Sequence, residues 1–200
     1  MDNQMVIGGI QRFSLIDFPG KVSAIVFTRG CNFRCPYCHN PELVDPNRYV
    51  DALEEEQLWE FLQRRQHKLD AVVITGGEPT LQEDLRPFLE KIRKMGFLIK
   101  LDTNGSNPRA IKDLLSANLL DYVAMDIKAP LEKYSEVAKV PIDKTDIEES
   151  IMLIRESHVS HEFRTTVAKN MLSEADVLNI ARMLQGEKLY VLQRCVPTKV

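Results

Sequence analysis

Three cysteines stand close together at a C-x3-C-x2-C spacing, namely Cys31, Cys35 and Cys38. Soft thiolates grouped on one short loop are typical ligands of an iron–sulfur cluster or of zinc. Four thiolates would close such a site, whereas three leave one metal position free for a substrate or a cofactor. The spacing therefore predicts a metal centre with an open coordination position.

The rest of the chain alternates short apolar runs with amphipathic stretches of helical period. The apolar runs predict strands at 21–28, 71–75, 97–101, 122–125, 161–167 and 189–193. A strand–helix order repeated about six times predicts a parallel sheet with right-handed crossovers, hence an α/β fold. Both an open doubly wound sheet and a barrel-like curved sheet fit this order.

The element boundaries also carry sequence signals. Residues 1–20 form a lead-in, extended over 5–16 and followed by a turn at Pro19-Gly20. Helix starts are predicted at Asp51 with Glu54 as a capping box, at Asn107 before Pro108, and at Ser173 with Asp176. No linker, repeat or low-complexity tract divides the chain, so residues 1–200 are expected to form a single domain.

Polar and glycine-rich motifs follow the predicted strands at the point where each strand ends. Gly76-Gly77-Glu78 follows the second strand, Asp102-Thr103-Asn104-Gly105 the third and Asp126-Ile127-Lys128 the fourth. The carboxyl ends of parallel strands lie along one edge, so these motifs should meet the cysteines there. Glycines admit close backbone approach, and the charged groups suit an amine, ribose hydroxyls, a cation or a carboxylate. We expect a pocket for a zwitterionic, sugar-bearing ligand beside a redox metal.

Composition excludes several classes of protein. The net charge of −3 argues against non-specific binding to nucleic acid or to an anionic membrane. No apolar run approaches the roughly 20 residues of a membrane span, and the first residues do not read as a secretory signal. Clustered cysteines in a chain of this size favour metal binding in a reducing compartment, so a cytoplasmic location is expected.

The cysteine triplet followed by Gly76-Gly77-Glu78-Pro79 resembles the radical S-adenosylmethionine superfamily. This resemblance extends over nearly the whole chain and implies a partial (β/α)6 barrel of the radical SAM type. The lead Ser14-x-x-Asp17-Phe18-Pro19-Gly20 and the segment 30–41 are similar to activating proteins of glycyl radical enzymes. Arg164-Thr165-Thr166 and Tyr190-Val191-Leu192-Gln193 look most like the activating proteins of anaerobic ribonucleoside-triphosphate reductase.

The resemblance implies a role for each site residue. Cys31, Cys35 and Cys38 would hold three irons of a [4Fe-4S] cluster, and the fourth iron would bind S-adenosylmethionine. The remaining contacts to this cofactor would come from Tyr37 at the adenine, largely through its backbone, from Gly76, Gly77 and Glu78 at the methionyl amine, and from Lys128 and Arg164 at its polar groups. Asp102, Thr103 and Asp126, with the Met125 carbonyl, match a monovalent-cation site. No catalytic residue is expected beyond these ligands.

The same resemblance implies the partners and two departures. The protein substrate would be a glycyl radical enzyme, and reduced flavodoxin or ferredoxin would donate the electron. One cluster is expected, because no cysteine lies between Cys38 and Cys195. No histidine follows His161, so a late histidine contact of some relatives is absent or replaced by Gln193 or Arg194.

Other interpretations remain open at this point. The triplet could be a zinc knuckle with His39 as fourth ligand in a non-enzymatic module. Asp102 to Gly105 could be a simple turn, and Asp126 with Lys128 a surface ion pair. The chain could also be a radical enzyme for a small molecule, like 7-carboxy-7-deazaguanine synthase, or could activate another glycyl radical enzyme such as pyruvate formate-lyase.

Overall fold

The computed structural model describes residues 5–195 as one seven-stranded sheet with its helices in the connections. The strands are β1 Ile7–Ser14, β2 Ser23–Thr28, β3 Ala71–Gly76, β4 Leu98–Thr103, β5 Tyr122–Asp126, β6 Ser160–Val167 and β7 Tyr190–Arg194. The helices are α1 Pro41–Val44, α2 Glu55–Arg65, α3 Leu85–Lys94, α4 Pro108–Ser116, α5 Tyr134–Ala138, α6 Lys144–Glu156 and α7 Glu174–Met183.

The strands lie in the sheet in the order in which they occur along the chain. Strands β2 to β7 are parallel, and β1 pairs antiparallel with β2. The prediction of an α/β fold with six parallel strands in a partial barrel is therefore confirmed. The extended lead-in forms the outer strand β1, and the hydrogen bond from the Lys21 N–H to the Phe18 carbonyl closes the predicted turn at 3.1 Å.

The two faces of the sheet differ in chemistry, and this difference positions the site. Alternate residues of the strands, such as Val72 and Ile74, pack with the helices into the main apolar core. The opposite face begins with a small apolar cluster that includes Ile25 and Val73. The same face continues into charged side chains on β4 to β6. Because successive strand residues point to opposite faces, the buried charges are separated from the main core.

The predicted start of a helix at Asp51 is wrong. Helix α2 begins at Glu55, and Glu54 occupies the N-cap position without a side-chain capping hydrogen bond. The preceding residues are extended because the Leu53 N–H donates to the Ile7 carbonyl at 2.8 Å, which attaches this segment to β1. A long-range backbone pairing has overridden the local capping pattern.

The other predicted helix starts are confirmed. Asn107 caps α4 by accepting from the Ala110 N–H, and Ser173 with Asp176 forms a complete capping box at α7. Two short helices, α1 and α5, carry too few residues for a helical period and were not predicted. Both lie beside the cysteine loop and hold it in place.

Candidate active site

The cysteine loop connects β2 to α1 and is fixed to its surroundings by backbone hydrogen bonds. The Gly30 N–H donates to the Leu43 carbonyl at 2.7 Å, and the Arg34 N–H donates to the Ala138 carbonyl at 2.8 Å. Phe33 is fully buried and packs edge-on against Tyr134, with ring centroids 6.3 Å apart. The short helices α1 and α5 thus hold the loop from both sides.

The cysteine thiols are partly buried and free of disulfide bonds. Burial raises the pKa of Cys31 to about 11 and also raises the pKa of Cys35, so both are thiols in the metal-free protein at neutral pH. Metal ions would supply the positive charge that thiolates need in such a site. Within residues 5–195, no three His, Cys, Asp or Glu side chains converge closely enough for a single metal ion. The thiols instead line a cavity, and thiolates of a cluster bind separate irons.

All twelve predicted site residues line this one cavity, which has a volume of about 230 Å³ at the carboxyl ends of the strands. They are Cys31, Cys35, Tyr37, Cys38, Gly76, Gly77, Glu78, Asp102, Thr103, Asp126, Lys128 and Arg164. The predicted convergence of the motifs at one edge is therefore observed. Asn104 and Thr166 belong to the predicted motifs and line the cavity too, although no role was predicted for them.

The two glycines bring the end of β3 against the start of the cysteine loop. The Glu78 N–H donates to the Gly30 carbonyl at 2.8 Å, and the Gly77 N–H donates to the Thr28 carbonyl at 2.8 Å. A Cβ atom on Gly77 would lie 2.0 Å from the Gly30 oxygen, and Gly76 has a φ of +111°. Gly77 lacks the Cβ that would clash, and Gly76 tolerates the positive φ, so glycine is required at both positions.

Glu78 is buried and its carboxylate accepts four hydrogen bonds. Oε1 accepts from the Thr80 N–H at 3.1 Å, from the Thr80 hydroxyl at 2.6 Å and from the Thr103 hydroxyl at 2.7 Å. Oε2 accepts from the Asn104 N–H at 2.6 Å. Burial raises the pKa of Glu78, while these donors oppose the rise. The carboxylate therefore ties the loop after β3 to the loop after β4.

Arg164 joins the carboxylates of two neighbouring strands. Its Nε donates to Asp126 Oδ1 at 2.9 Å, and its Nη1 lies 3.3 Å from Asp102 Oδ2. Lys128 Nζ donates to Asp126 Oδ2 at 3.0 Å. Burial alone would raise the pKa of Asp126, but Lys128 and Arg164 lower it to about 2. Asp126 and Lys128 thus form a cavity-lining ion pair, and the surface-pair alternative is wrong.

Two polar atoms in the cavity lack a hydrogen-bond partner in the described part of the chain. One is the hydroxyl of Tyr37 and the other is Oδ1 of Asp102, both shielded from solvent. Asp102 Oδ1 lies 3.5 Å from Lys100 Nζ, within ion-pair range. Buried polar atoms are normally satisfied, so the Tyr37 hydroxyl points to a bound polar ligand.

Residues 193–195 differ in whether they line the cavity. Gln193 at the end of β7 lines the cavity, whereas Arg194 and Cys195 do not belong to its lining. Cys195 is only partly buried, and its N–H donates to the Val167 carbonyl at 3.1 Å. Of the two residues named for the late contact, Gln193 is therefore the one that lines the cavity. Among the helices formed by residues 5–195, none is long and apolar enough to cross a membrane.

Comparison with known proteins agrees with this geometry. The chain is 37% identical over 198 residues to a protein of Methanocaldococcus jannaschii with the provisional name of glycyl-radical enzyme activating enzyme, covering 96% of this chain and 80% of that one. It is 28% identical over 203 residues to 7-carboxy-7-deazaguanine synthase of Thermococcus kodakarensis, covering 90% of this chain and 77% of that one.

The fold agrees as well. The structure of anSMEcpe with bound S-adenosylmethionine superimposes with a TM-score of 0.66 at 19% identity, over 84% of this chain and 49% of that one. The family model of the radical SAM superfamily matches residues 25–184, which include all twelve residues of the predicted cluster and cofactor site. The sheet, the cavity and this match lead to one conclusion: the chain belongs to the radical SAM superfamily.

Proposed function

We propose that this protein is an activating enzyme that generates a glycyl radical on a partner enzyme, and that this partner is anaerobic ribonucleoside-triphosphate reductase. The family membership and the relative named as an activating enzyme support the reaction class. The choice of reductase depends on the likeness of Arg164-Thr165-Thr166 and Tyr190-Val191-Leu192-Gln193 to that group.

The observation that carries the proposal is the composition of the cavity. Beyond the cluster and cofactor positions, the polar side chains that line the described cavity are those of His39, Asn40, Thr75, Asn104, Thr166 and Gln193. His39 and Asn40 follow the cysteines directly, and Asn104 is already engaged with Asn32 and Ser106, so Thr166 and Gln193 are the polar side chains offered on the β6–β7 side. An enzyme for a small polar molecule requires several convergent polar groups to orient that molecule. A protein substrate is instead positioned by contacts outside the cavity, and only its reacting residue enters.

The residues present fit the cofactors of the family. Three thiols on one loop suit a [4Fe-4S] cluster with an open iron, and the Tyr37 hydroxyl, which has no hydrogen-bond partner within residues 5–195, suits a polar ligand. When bound, the cluster and S-adenosylmethionine supply one-electron chemistry that removes a hydrogen atom from the substrate.

The chain's own residues orient that chemistry. The Gly76-Gly77-Glu78 backbone would receive the methionyl amine, and Tyr37 would contact the adenine. Lys128 and Arg164 each pair with a carboxylate of the cavity wall, and their remaining N–H groups would suit the methionyl carboxylate. Glu78 keeps its carboxylate in the four hydrogen bonds described above and would act on the amine through the position of its own loop.

The remaining partners are part of the same proposal. A monovalent cation would bind Asp102, Thr103, Asp126 and the Met125 carbonyl, and it would compete with the Arg164 guanidinium for the two carboxylates. Reduced flavodoxin or ferredoxin would supply the electron in the cytoplasm. Neither nucleic acid nor a membrane has a part in the proposed reaction.

The test begins with anaerobic reconstitution with iron and sulfide. The reduced protein is mixed with S-adenosylmethionine, and 5′-deoxyadenosine is measured. Cys35→Ala should lose production, whereas Cys195→Ala, a cysteine outside the cavity, should retain it. Uptake of zinc without iron would overturn the enzyme proposal.

The partner is then identified by adding purified candidates one at a time. Anaerobic ribonucleotide reductase should develop a protein-radical signal in electron paramagnetic resonance, with one glycine as its site. A signal only on pyruvate formate-lyase would overturn the choice of reductase. Turnover of the 7-carboxy-7-deazaguanine synthase substrate, without a radical on either protein, would overturn the activating function; the synthase-named relative makes this the second candidate.

A further inference from the structure

Asn104 connects Glu78, in the loop after β3, to the cysteine loop. It lies directly after β4 and is only 5% exposed. Its backbone N–H donates to Glu78 Oε2 at 2.6 Å. Its side chain turns the other way, toward the cysteine loop, where Nδ2 lies 3.9 Å from Cys31 Sγ. Asn104 thus contacts both the carboxylate of Glu78 and the sulfur of Cys31, which is a predicted cluster ligand.

The orientation of the Asn104 amide is fixed by its neighbours. Its Oδ1 accepts from the Ser106 N–H at 2.9 Å, so the oxygen must face Ser106 and the nitrogen must face the cysteine loop. One Nδ2 proton is donated to Asn32 Oδ1 at 3.0 Å, and the Asn32 amide donates in turn to the Ser106 hydroxyl at 2.8 Å. The second Nδ2 proton remains for the sulfur of Cys31.

Among the three cysteines of the loop, Cys31 has the sulfur that accepts the most hydrogen bonds from the described residues. Its sulfur accepts from the Phe33 N–H at 3.3 Å as well as from Asn104. Among residues 5–195, neither of the other two cysteine sulfurs receives a side-chain hydrogen bond. A donor on a ligand sulfur stabilises the additional negative charge of a reduced cluster and therefore raises its reduction potential.

We infer that Asn104 is a positioning residue that raises the reduction potential of the cluster by donating a hydrogen bond to the Cys31 thiolate. The inference rests on the proposed function, because it requires a cluster on Cys31. It assigns to the Asn of Asp102-Thr103-Asn104-Gly105 an electronic role in addition to turn formation. Asn104 also donates its backbone N–H to Glu78. The residue that would raise the reduction potential of the cluster therefore also connects the cysteine loop to the loop after β3.

The experiment measures the midpoint potential of the reconstituted cluster by a redox titration followed with electron paramagnetic resonance. Asn104→Ala removes the donor and keeps the backbone hydrogen bond to Glu78. Asn104→Asp keeps the shape and the acceptor for Ser106 but cannot donate, so it tests the inference even if the alanine variant folds poorly. Asn32→Ala removes the neighbouring amide only, and Asn179→Ala, exposed on α7, is the remote control.

Both Asn104 variants should have a more negative midpoint, with the larger shift for Asn104→Asp because of its charge. For Asn104→Ala, the ratio of reduced to oxidised cluster at a fixed solution potential should fall about tenfold, which equals about 59 mV for one electron. Asn32→Ala should shift less, and Asn179→Ala should not shift.

Three results would count against the inference, and they separate it from the proposed function. A cluster in Asn104→Ala and Asn104→Asp with the wild-type midpoint overturns the role of Asn104 while leaving the proposed function intact. A shift in Asn32→Ala as large as in Asn104→Ala attributes the effect to loop packing and also overturns it. Failure of the wild type to assemble any cluster overturns the proposed function and, with it, this inference.

Discussion

Arg164 on β6 and Asp126 on β5 are register neighbours and are joined by a contact of 2.9 Å between Nε and Oδ1. Asp102 on β4 completes the arrangement at 3.3 Å from Nη1. The guanidinium therefore holds three consecutive strands together at the cavity wall. Because the charges are largely shielded from water, removal of Arg164 would leave Asp126 with Lys128 alone and Asp102 with Lys100 alone.

Arg164→Ala should destabilise the metal-free protein by about 3 kcal/mol, because Asp102 and Asp126 would each lose one of two cationic partners in a site largely shielded from water. Urea unfolding measures this change. Arg86→Ala is the matched control, because Arg86 also contacts two carboxylates, those of Glu90 and Asp113, but on the exposed surface. We expect little change for this control. Equal losses in the two variants would contradict a special role for the buried arrangement.

Gly77→Ala should reduce stability by about 1–3 kcal/mol, because the new methyl group meets the Gly30 oxygen and the cysteine loop must move. Iron bound after reconstitution should fall at the same time. Gly9→Ala on β1 is the control, since a Cβ there has no heavy atom within 4 Å. Thermal unfolding and an iron assay measure both effects, and wild-type values for Gly77→Ala would refute the tight approach.

Glu78→Gln should cost about 1–3 kcal/mol, because one amide nitrogen would face groups that now donate to a carboxylate. The exposed Glu56→Gln on α2 provides the comparison and should behave like the wild type. Binding of S-adenosylmethionine to the reconstituted variant, measured by calorimetry, should weaken as the two loops separate. A Glu78→Gln variant as stable as Glu56→Gln would contradict the four-bond arrangement.

The stability of the metal-free protein should depend on Asp126 at acidic pH. The pKa of Asp126 in the folded protein is about 2, below its usual value of 3.8. The ionised carboxylate therefore stabilises the fold above about pH 4, and its contribution of about 2 kcal/mol is lost as pH falls toward 2. The stability difference between wild type and Asp126→Asn should shrink over this range. A difference independent of pH would count against the lowered pKa; Asp51→Asn is the exposed control.

Much of the site could be predicted because its chemistry is written in short motifs at strand ends. The cysteine spacing, the paired glycines and the acidic residues at the ends of β4 and β5 each identify a position, and a parallel sheet brings strand ends together. The helix starts at Asn107 and Ser173 and the turn at Pro19-Gly20 were likewise local and correct. Local signals succeeded where local contacts decide the structure.

Other features could not be predicted because they depend on pairings between distant residues. Asp51 and Glu54 look like a capping box, yet Leu53 pairs with Ile7 and delays the helix. The four donors to Glu78 come from two different loops, so the sequence gives no sign that its carboxylate is already satisfied. The orientation of Asn104 toward Cys31 depends on a chain of amides whose members are separated by more than 70 residues.

The bridge from Asp102 to Arg164 joins residues that are 62 positions apart, and the last of them lies on the sixth strand of the sheet. A chain emerging from the ribosome therefore exposes its cysteine loop before β6 has been made. Strand β6 carries Arg164, which pairs with the carboxylates of Asp102 and Asp126 in the cavity wall. During this interval the thiols are present without the finished cavity around them. Correct metallation is thus expected to follow completion of the sheet, and delivery of iron and sulfide to the nascent chain would be premature.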